Sequence, residues 1–216
     1  EVYGGGNIQT ECTWNEWGVQ DDELFNYALD SVPGDVPSFN VILTTSFHPS
    51  YSVDVEKLGY PVRDVPADLR NRWEDGCTDL HELGHWWFSD KAIETFVRSM
   101  IRREPGSLFA VTGDHYNRRY FNGRPPYYEK ASVPLVLFGP EVLAGRTVPA
   151  NAAGSHIDIC RTLIELSAPE GFEYCAFGAD LLSPAPRFYG ATKFRTIADG
   201  WLFDYEIGRA SCRERV

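Results

Sequence analysis

The stretch LFAVTGDH, Leu108 to His115, decides how the rest of the chain is interpreted. Its first half is a short apolar run of the kind that forms a buried strand. The run stops at Gly113 and is followed directly by Asp114 and His115. A turn would explain these residues, but a carboxylate beside an imidazole at a strand end is also a pair of ligands for a divalent cation. The stretch alone leaves both interpretations open.

Composition describes a globular chain and excludes some functions. The 216 residues are 43% hydrophobic and 14% aromatic, which is enough to bury a core. A net charge of −11 disfavours nonspecific binding to nucleic acid or to an anionic membrane. No apolar run reaches the roughly 20 residues that a membrane-spanning helix needs. The chain starts without methionine or a signal peptide, and we expect it to be part of a longer one.

The C-terminal segment 206–216, EIGRASCRERV, differs from everything before it. It is rich in arginine and has no apolar periodicity, and a suitable choice of codons spells a common sequencing adapter read in frame. We therefore predict a non-native tail at 206–216. A basic tail that contacts an acidic partner is the alternative.

The cysteines outside that tail are Cys12, Cys77, Cys160 and Cys175, and none stands in a C-x-x-C pair. We expect buried free thiols. A disulfide between Cys160 and Cys175 stays open, because spacing alone does not decide it.

Hydrophobic periodicity predicts helices that alternate with strands. Helices are expected at 18–32, at 85–104 and from Ser155, where Asp158 completes a capping box. The apolar face of the last helix is Ile157, Cys160, Leu163, Ile164 and Ser167. Strand-type runs lie at 38–46, 107–112 and 132–140. This alternation predicts an α/β fold.

In α/β folds, ligands gather at the carboxyl ends of the strands. The run 38–46 is followed by His48, and the run 107–112 is followed by Asp114 and His115. If these two strands lie parallel, the three side chains meet at one edge of the sheet.

Six segments in a fixed order carry a family resemblance. They are WGVQDDELFNYAL, VILTTSFHP, HWWFSDKAIETF, FAVTGDHYNRR, SVPLVLFGP and AGSHIDICRTLIEL. Together they resemble the sulfatase-like domain of lipoteichoic acid synthase-type proteins, in the alkaline phosphatase superfamily, over nearly all of 1–185. The resemblance implies an α/β sandwich with a central mixed sheet flanked by helices, without its N-terminal part. Residues 1–205 are then the C-terminal part of one sulfatase-like catalytic domain.

The resemblance also implies a chemistry. Members of this family are metal-dependent phosphoglycerol transferases and sulfatase-like relatives that react through a threonine beside Mn²⁺ or Mg²⁺. It implies that Asp114 and His115 are metal ligands, with zinc as an alternative cation, and that His48 contacts the substrate's phosphate group. The threonine and a first acidic ligand would precede Glu1, so we expect no catalytic nucleophile in this chain and little or no turnover by it alone.

Other residues near these motifs have two interpretations each. Arg118, just past the Asp-His pair, reaches an anionic substrate or belongs to a solvated loop. His156 binds a second metal or belongs to a helix cap. His81 and His85, four residues apart, chelate a metal or serve packing.

Two other functions remain as alternatives. A true sulfatase carries its modified cysteine in a C-x-P-x-R motif, which no cysteine of this chain has. The other alternative is a non-catalytic domain that keeps the fold of this family and binds an anionic glycan without catalysing a reaction. In the leading interpretation the substrate is a phospho- or sulfo-ester, linked to a lipid or glycan. The resemblance implies that the parent protein is held in the cell membrane with its catalytic domain outside the cytoplasm.

Overall fold

The structure is a computed structural model that describes residues 8, 12–34, 36–73, 78–116, 122–126, 128–147, 153–183, 189–198, 200–206 and 209–215. Its helices are α1 (Asp21–Ser31), α2 (Leu80–Arg103) and α3 (His156–Ser167), with a 3-10 helix at Glu129–Ala131. Its strands are β1 (Phe109–Thr112), β2 (Leu135–Phe138), β3 (Tyr189–Ala191), β4 (Arg195–Ala198), β5 (Trp201–Glu206) and β6 (Arg209–Arg215). The predicted α/β class is confirmed.

The chain forms two compact units. The first comprises Glu1–Pro105 with Arg118–Arg124, and the second comprises Gly106–Asn117 with Pro125–Val216. None of the helices in the described residues is long and apolar enough to cross a membrane.

In the first unit, α1 packs against α2. The rings of Phe25 and Phe96 stack with their centroids 4.8 Å apart. At the end of α1, the guanidinium of Arg103 donates to the carbonyl oxygens of Leu29 and Val32. These carbonyls have no partner within their own helix, so Arg103 completes the C-terminal end of α1.

Asp21, the first residue of α1, is fully buried and joins three parts of the first unit. Its Oδ1 accepts hydrogen bonds from the backbone N–H groups of Thr45 and Ser46, both at 2.9 Å. Its Oδ2 accepts from the hydroxyl of Ser89 on α2 at 2.8 Å. The N–H of Asp21 donates in turn to Ser46 Oγ at 2.9 Å. One carboxylate therefore fixes the segment before His48 against both helices.

The loop that follows His48 packs on the N-terminal half of α2. Val53, Val55, Tyr60 and Phe88 form a buried cluster, with Leu83 and Trp87 packed against it. Gly84 permits this approach, because a Cβ atom there would lie 2.6 Å from Val55 Cγ2. The helix begins at Leu80, earlier than the predicted residue 85, since the carboxylate of Asp79 caps it by accepting from the N–H of Glu82 at 2.8 Å.

His85 lies in this core with no exposed surface. Its Nδ1 donates to the carbonyl of His81 at 2.8 Å, and its Nε2 accepts from the N–H of Val53 at 3.0 Å. His81 in turn directs Nε2 to the carbonyl of Tyr51 at 2.9 Å. Because both nitrogens of His85 are occupied by backbone groups, the packing interpretation of the His81–His85 pair holds and chelation is excluded.

The expected strand at 38–46 is wrong. The residues of this segment belong to no strand, and Phe39, Val41 and Leu43 are 78%, 82% and 76% exposed. A strand needs a neighbour that pairs with its backbone groups. No described strand lies beside this one, so an apolar run of strand type remains uncovered.

The second unit contains two antiparallel sheets among its described residues. Strands β1 and β2 pair from Phe109 opposite Phe138 to Thr112 opposite Leu135. Strands β3, β4, β5 and β6 form a second sheet in chain order. In that sheet β6, which lies within 206–216, pairs with β5. The non-native origin of 206–216 stays a prediction, because backbone pairing does not depend on where a sequence comes from.

Helix α3 turns a polar face inward. The capping box of Ser155 and Asp158 is confirmed. Asp158 also accepts from the N–H of Ala179 at 2.7 Å, and the hydroxyl of Thr162 accepts from the N–H of Leu181 at 3.0 Å. The predicted apolar face is wrong at Ile157, which is 55% exposed. Hydrogen bonds of Asp158 and Thr162 tie this helix to the backbone of 179–181.

The expectation that the cysteines are buried is wrong for Cys160 and Cys175. Cys160 and Cys175 are free thiols on the surface, and Cys12 is half-buried. The alternative Cys160–Cys175 disulfide is therefore not formed. Cys77 lies outside the described residues.

We predict that Asp21→Ala destabilises the first unit by about 3 kcal/mol, because the buried donor of Ser46 and the partly buried donors of Thr45 and Ser89 lose their acceptor. The matched control is Asp22→Ala. The side chain of Asp22 is half-buried and, among the described residues, accepts from Gln20 Nε2 and the N–H of Glu23. Asp22→Ala should lower the free energy of unfolding by less than about 1 kcal/mol. Urea unfolding measures both variants, and equal losses would contradict the role assigned to Asp21.

We also predict a pH dependence that originates at His85. Burial lowers the pKa of this imidazole from its ordinary value of 6.5. Below about pH 6.5 the unfolded chain binds a proton that the folded chain does not, so stability falls as pH falls, by at most about 1.4 kcal/mol per pH unit. Above that pH the stabilisation is complete.

The test compares free energies of unfolding between pH 7.5 and 5.5 for the wild type and His85→Leu. The variant should be less stable at pH 7.5, because the N–H of Val53 loses its acceptor, and should show a flatter pH dependence. Val53→Ala, which loosens the same buried cluster without removing a titratable group, is the control and should keep the wild-type slope. An unchanged slope in His85→Leu would refute the prediction.

Candidate functional site

Asp114 and His115 lie where β1 ends, as the sequence predicts. The hydroxyl of Thr112 donates to the carbonyl of Pro134 at 2.8 Å, which ties the end of β1 to the residues before β2. Asp114 Oδ1 accepts from the N–H of His115 at 2.9 Å. Their side chains are 77% and 60% exposed. The turn therefore presents a carboxylate and an imidazole to solvent.

The hydrogen bonds of His115 fix which ring nitrogen is free. Nδ1 lies 2.8 Å from the carbonyl of Tyr116, and a carbonyl can only accept. The neutral ring therefore carries its proton on Nδ1 and its lone pair on Nε2. Nε2 lies 3.7 Å from Asp114 Oδ2. An imidazole whose other nitrogen donates to a backbone carbonyl is the usual form of a metal-ligating histidine.

His156 supports the same turn from the start of α3. Its Nε2 donates to the carbonyl of Gly113 at 2.8 Å. This bond links residues that are far apart in sequence and fixes the backbone just before Asp114. The bond gives His156 a structural role at the start of α3. The neutral ring carries its lone pair on Nδ1, so this bond does not decide between the structural interpretation and the second metal ligand, and both stay open.

The donor atoms of the Asp-His pair fit a divalent cation. Metal–oxygen and metal–nitrogen bonds are about 2.0–2.2 Å long, so one ion can touch two atoms that are 3.7 Å apart. A hard oxygen with one nitrogen suits Mn²⁺, Mg²⁺ or Zn²⁺. Within the described residues no group of three or more His, Cys, Asp or Glu residues forms. A cation held by Asp114 and His115 alone would therefore be weakly bound, and the assignment of these two residues as metal ligands stays a prediction.

His48 lies in the first unit, on the turn that follows the segment fixed by Asp21. Its ring is half-buried and lies 4.0 Å from the ring of Trp17, centroid to centroid. Its Nδ1 lies 2.6 Å from the carbonyl of Pro49. His48 and His115 thus share one arrangement. In each ring Nδ1 donates to a backbone carbonyl, and Nε2 makes no bond to that carbonyl.

The parallel strand pair expected to carry His48, Asp114 and His115 does not form among the described residues. The segment 38–46 forms no strand, and the described partner of β1 is the antiparallel β2. His48 belongs to the first unit, whereas Asp114 and His115 belong to the second. The prediction for Arg118 falls outside the described residues.

Sequence reasoning missed the residues that orient these side chains. Trp17 and Asp21 stand in the quoted segment WGVQDDELFNYAL, which was used only as a family motif and as a helix. The polar start of that segment was the available signal, since an aspartate at the first position of a helix is placed to bind backbone N–H groups.

Comparisons with known proteins identify the fold. No protein-family model matches the sequence, and no curated protein matches it. A solved structure does match: a protein of the alkaline phosphatase superfamily from Vibrio parahaemolyticus, with a TM-score of 0.59 and 18% sequence identity. The match covers 97% of this chain and 53% of that one. The chain therefore has an alkaline-phosphatase-like α/β fold and spans about half the length of the structure that it resembles.

We predict that Mn²⁺ broadens the NMR signals of the His115 ring at lower concentration than those of His81. Asp114→Asn should raise the Mn²⁺ concentration needed to broaden the His115 signals about tenfold or more, because a charged ligand becomes a neutral one. Glu170→Gln, which changes an exposed carboxylate of the same unit, is the control and should leave it unchanged. Equal broadening in Asp114→Asn and the wild type would show that the pair does not bind the cation.

Proposed function

We propose that this chain is the cation- and phosphate-binding part of a metal-dependent enzyme that processes phosphodiesters, of the phosphoglycerol transferase type. The observation that carries the proposal is the Asp114–His115 pair. Its Oδ2 and Nε2 atoms lie 3.7 Å apart at a strand end of an alkaline-phosphatase-like fold. The six motifs that resemble lipoteichoic acid synthase-type proteins support the choice of reaction.

Each side chain has a defined part in the proposal. Asp114 and His115 would hold a divalent cation, which when bound neutralises phosphoryl oxygens and lowers the pKa of a nucleophile. His48, with Nδ1–H held by Pro49, can accept a proton at Nε2 and, once protonated, donate from Nε2 to a phosphoryl oxygen. His156 keeps the backbone of Gly113 in place and does not react.

A nucleophile is required from outside these residues. The resemblance implies an upstream threonine together with a further acidic ligand. Without them the chain has binding groups but nothing that can form a covalent intermediate. We therefore propose that the chain binds phosphate esters in the presence of Mn²⁺ or Mg²⁺ and does not turn them over alone.

The substrate and the cellular location belong to the proposal as well. A phospho- or sulfo-ester linked to a lipid or glycan would place the enzyme at the outer face of the cell membrane, as the resemblance implies. A second candidate, a true sulfatase, has less support because no cysteine of the chain stands in a C-x-P-x-R motif.

The experiment titrates the chain with glycerol 1-phosphate, p-nitrocatechol sulfate and a sulfated oligosaccharide, each with Mn²⁺ and with EDTA. We expect glycerol 1-phosphate to bind only with Mn²⁺, and bis(p-nitrophenyl) phosphate not to be hydrolysed. Asp114→Asn should lower the affinity for glycerol 1-phosphate about tenfold or more, and Glu170→Gln should not change it.

Other outcomes would replace the proposal. Preference for the sulfate ester, with hydrolysis, would identify a sulfatase. Binding of the sulfated oligosaccharide that is unaffected by EDTA would identify a non-catalytic glycan-binding domain. Hydrolysis of the phosphodiester by the chain alone would show that a nucleophile lies within it.

A further inference from the structure

Pro49 provides one carbonyl oxygen to two side chains. His48 Nδ1 lies 2.6 Å from it, and the indole Nε1 of Trp17 lies 2.7 Å from it. A carbonyl only accepts, so both nitrogens carry their protons. In the neutral imidazole, Nε2 therefore holds the lone pair. Within the described part of the chain, Nε2 has no hydrogen-bond partner.

Trp17 also sets the plane of the imidazole. The two ring centroids are 4.0 Å apart, and the ring planes are inclined by 46°. Trp17 is itself held at its backbone, because Asn15 Oδ1 accepts from the N–H groups of Trp17 and Gly18 at 2.7 and 2.9 Å. Gly18 lies so close to Thr45 that a Cβ atom would be 3.1 Å from Thr45 Cγ2. The indole is thus fixed from a rigid turn.

Packing does not explain this tryptophan. Its side chain is 56% exposed, so it removes little apolar surface from water. A buried ring would contribute to stability through the apolar area that it removes from water. The ring of Trp17 instead makes two specific contacts, one through its N–H and one between its ring and an imidazole. Both are directed at the same two residues, His48 and Pro49.

We propose that Trp17 is a positioning residue for His48. By donating to the carbonyl of Pro49 it fixes the acceptor of Nδ1–H, and by its ring contact it fixes the imidazole plane. His48 is thereby kept in the Nδ1–H tautomer with Nε2 presented to a ligand. The identity of that ligand, a phosphate ester, rests on the proposed function. The tautomer of His48 is argued from the hydrogen bonds to Pro49 and is independent of the proposed function.

The experiment measures the tautomer of His48 by ¹⁵N NMR of the ring nitrogens in the chain without ligand. It is recorded at about pH 8.5, roughly two units above the ordinary histidine pKa. The wild type should show Nδ1–H. Trp17→Ala should shift the population toward Nε2–H, the form that neutral histidine favours in water. Trp17→Phe keeps a ring beside His48 but has no donor, and should be intermediate.

Trp14→Ala is the matched control. Trp14 lies in the same turn region, is 39% exposed, and has its backbone in a bridge with Val19. It should leave the tautomer of His48 unchanged. Circular dichroism of all variants checks that they fold, and Trp17→Phe remains informative if Trp17→Ala does not.

A second titration separates this inference from the proposed function. Glycerol 1-phosphate with Mn²⁺ should bind about tenfold more weakly to Trp17→Ala than to the wild type, as expected when an ionic hydrogen bond loses its orientation. A wild-type His48 with Nε2–H, or the same tautomer in every variant, would overturn the inference. A tautomer shift in a chain that binds no glycerol 1-phosphate would support the positioning role and overturn the proposed function.

Discussion

The buried carboxylate of Asp21 is the constraint on which the first unit depends. A carboxylate without exposed surface is costly unless its oxygens accept hydrogen bonds, and those of Asp21 accept from two backbone N–H groups and a hydroxyl. The partners belong to the segment before His48 and to α2, while Asp21 itself begins α1. Removing this single group would separate the turn that carries His48 from both helices. The position of His48 therefore depends on a residue that is itself fully buried.

The same principle operates in the second unit with other groups. Asp158 at the start of α3 accepts from Ser155 and Ala179, and His156 next to it donates to Gly113. Polar side chains at helix starts thus fix the loops that carry the candidate ligands in both units. In each case the imidazole of interest is held at Nδ1 by a neighbouring carbonyl, which leaves Nε2 for chemistry. A histidine held in this way can bind a cation or a proton without any rearrangement of its ring.

Much of this architecture could be predicted from sequence, and the failures have physical causes. Periodicity found α1 and α2 because their apolar faces meet, as the Phe25–Phe96 contact shows. It placed Ile157 wrongly on the inner side of α3, because Asp158 and Thr162 are buried there through hydrogen bonds that hydrophobic patterning does not detect. The Asp114–His115 pair was found because a strand, a glycine and two ligand-type residues are contiguous. The bond from His156 to Gly113 was not found, since nothing in sequence links them.

The uncovered segment at 38–45 has a consequence for how the chain behaves in solution. Its residues Phe39, Val41 and Leu43 are exposed, and the run FNVILT carries neither charge nor proline. Short, uncharged, β-branched segments with unpaired backbone groups are templates for cross-β stacking between molecules. Solubility of this chain therefore depends on whether that segment is covered faster than it meets another copy of itself.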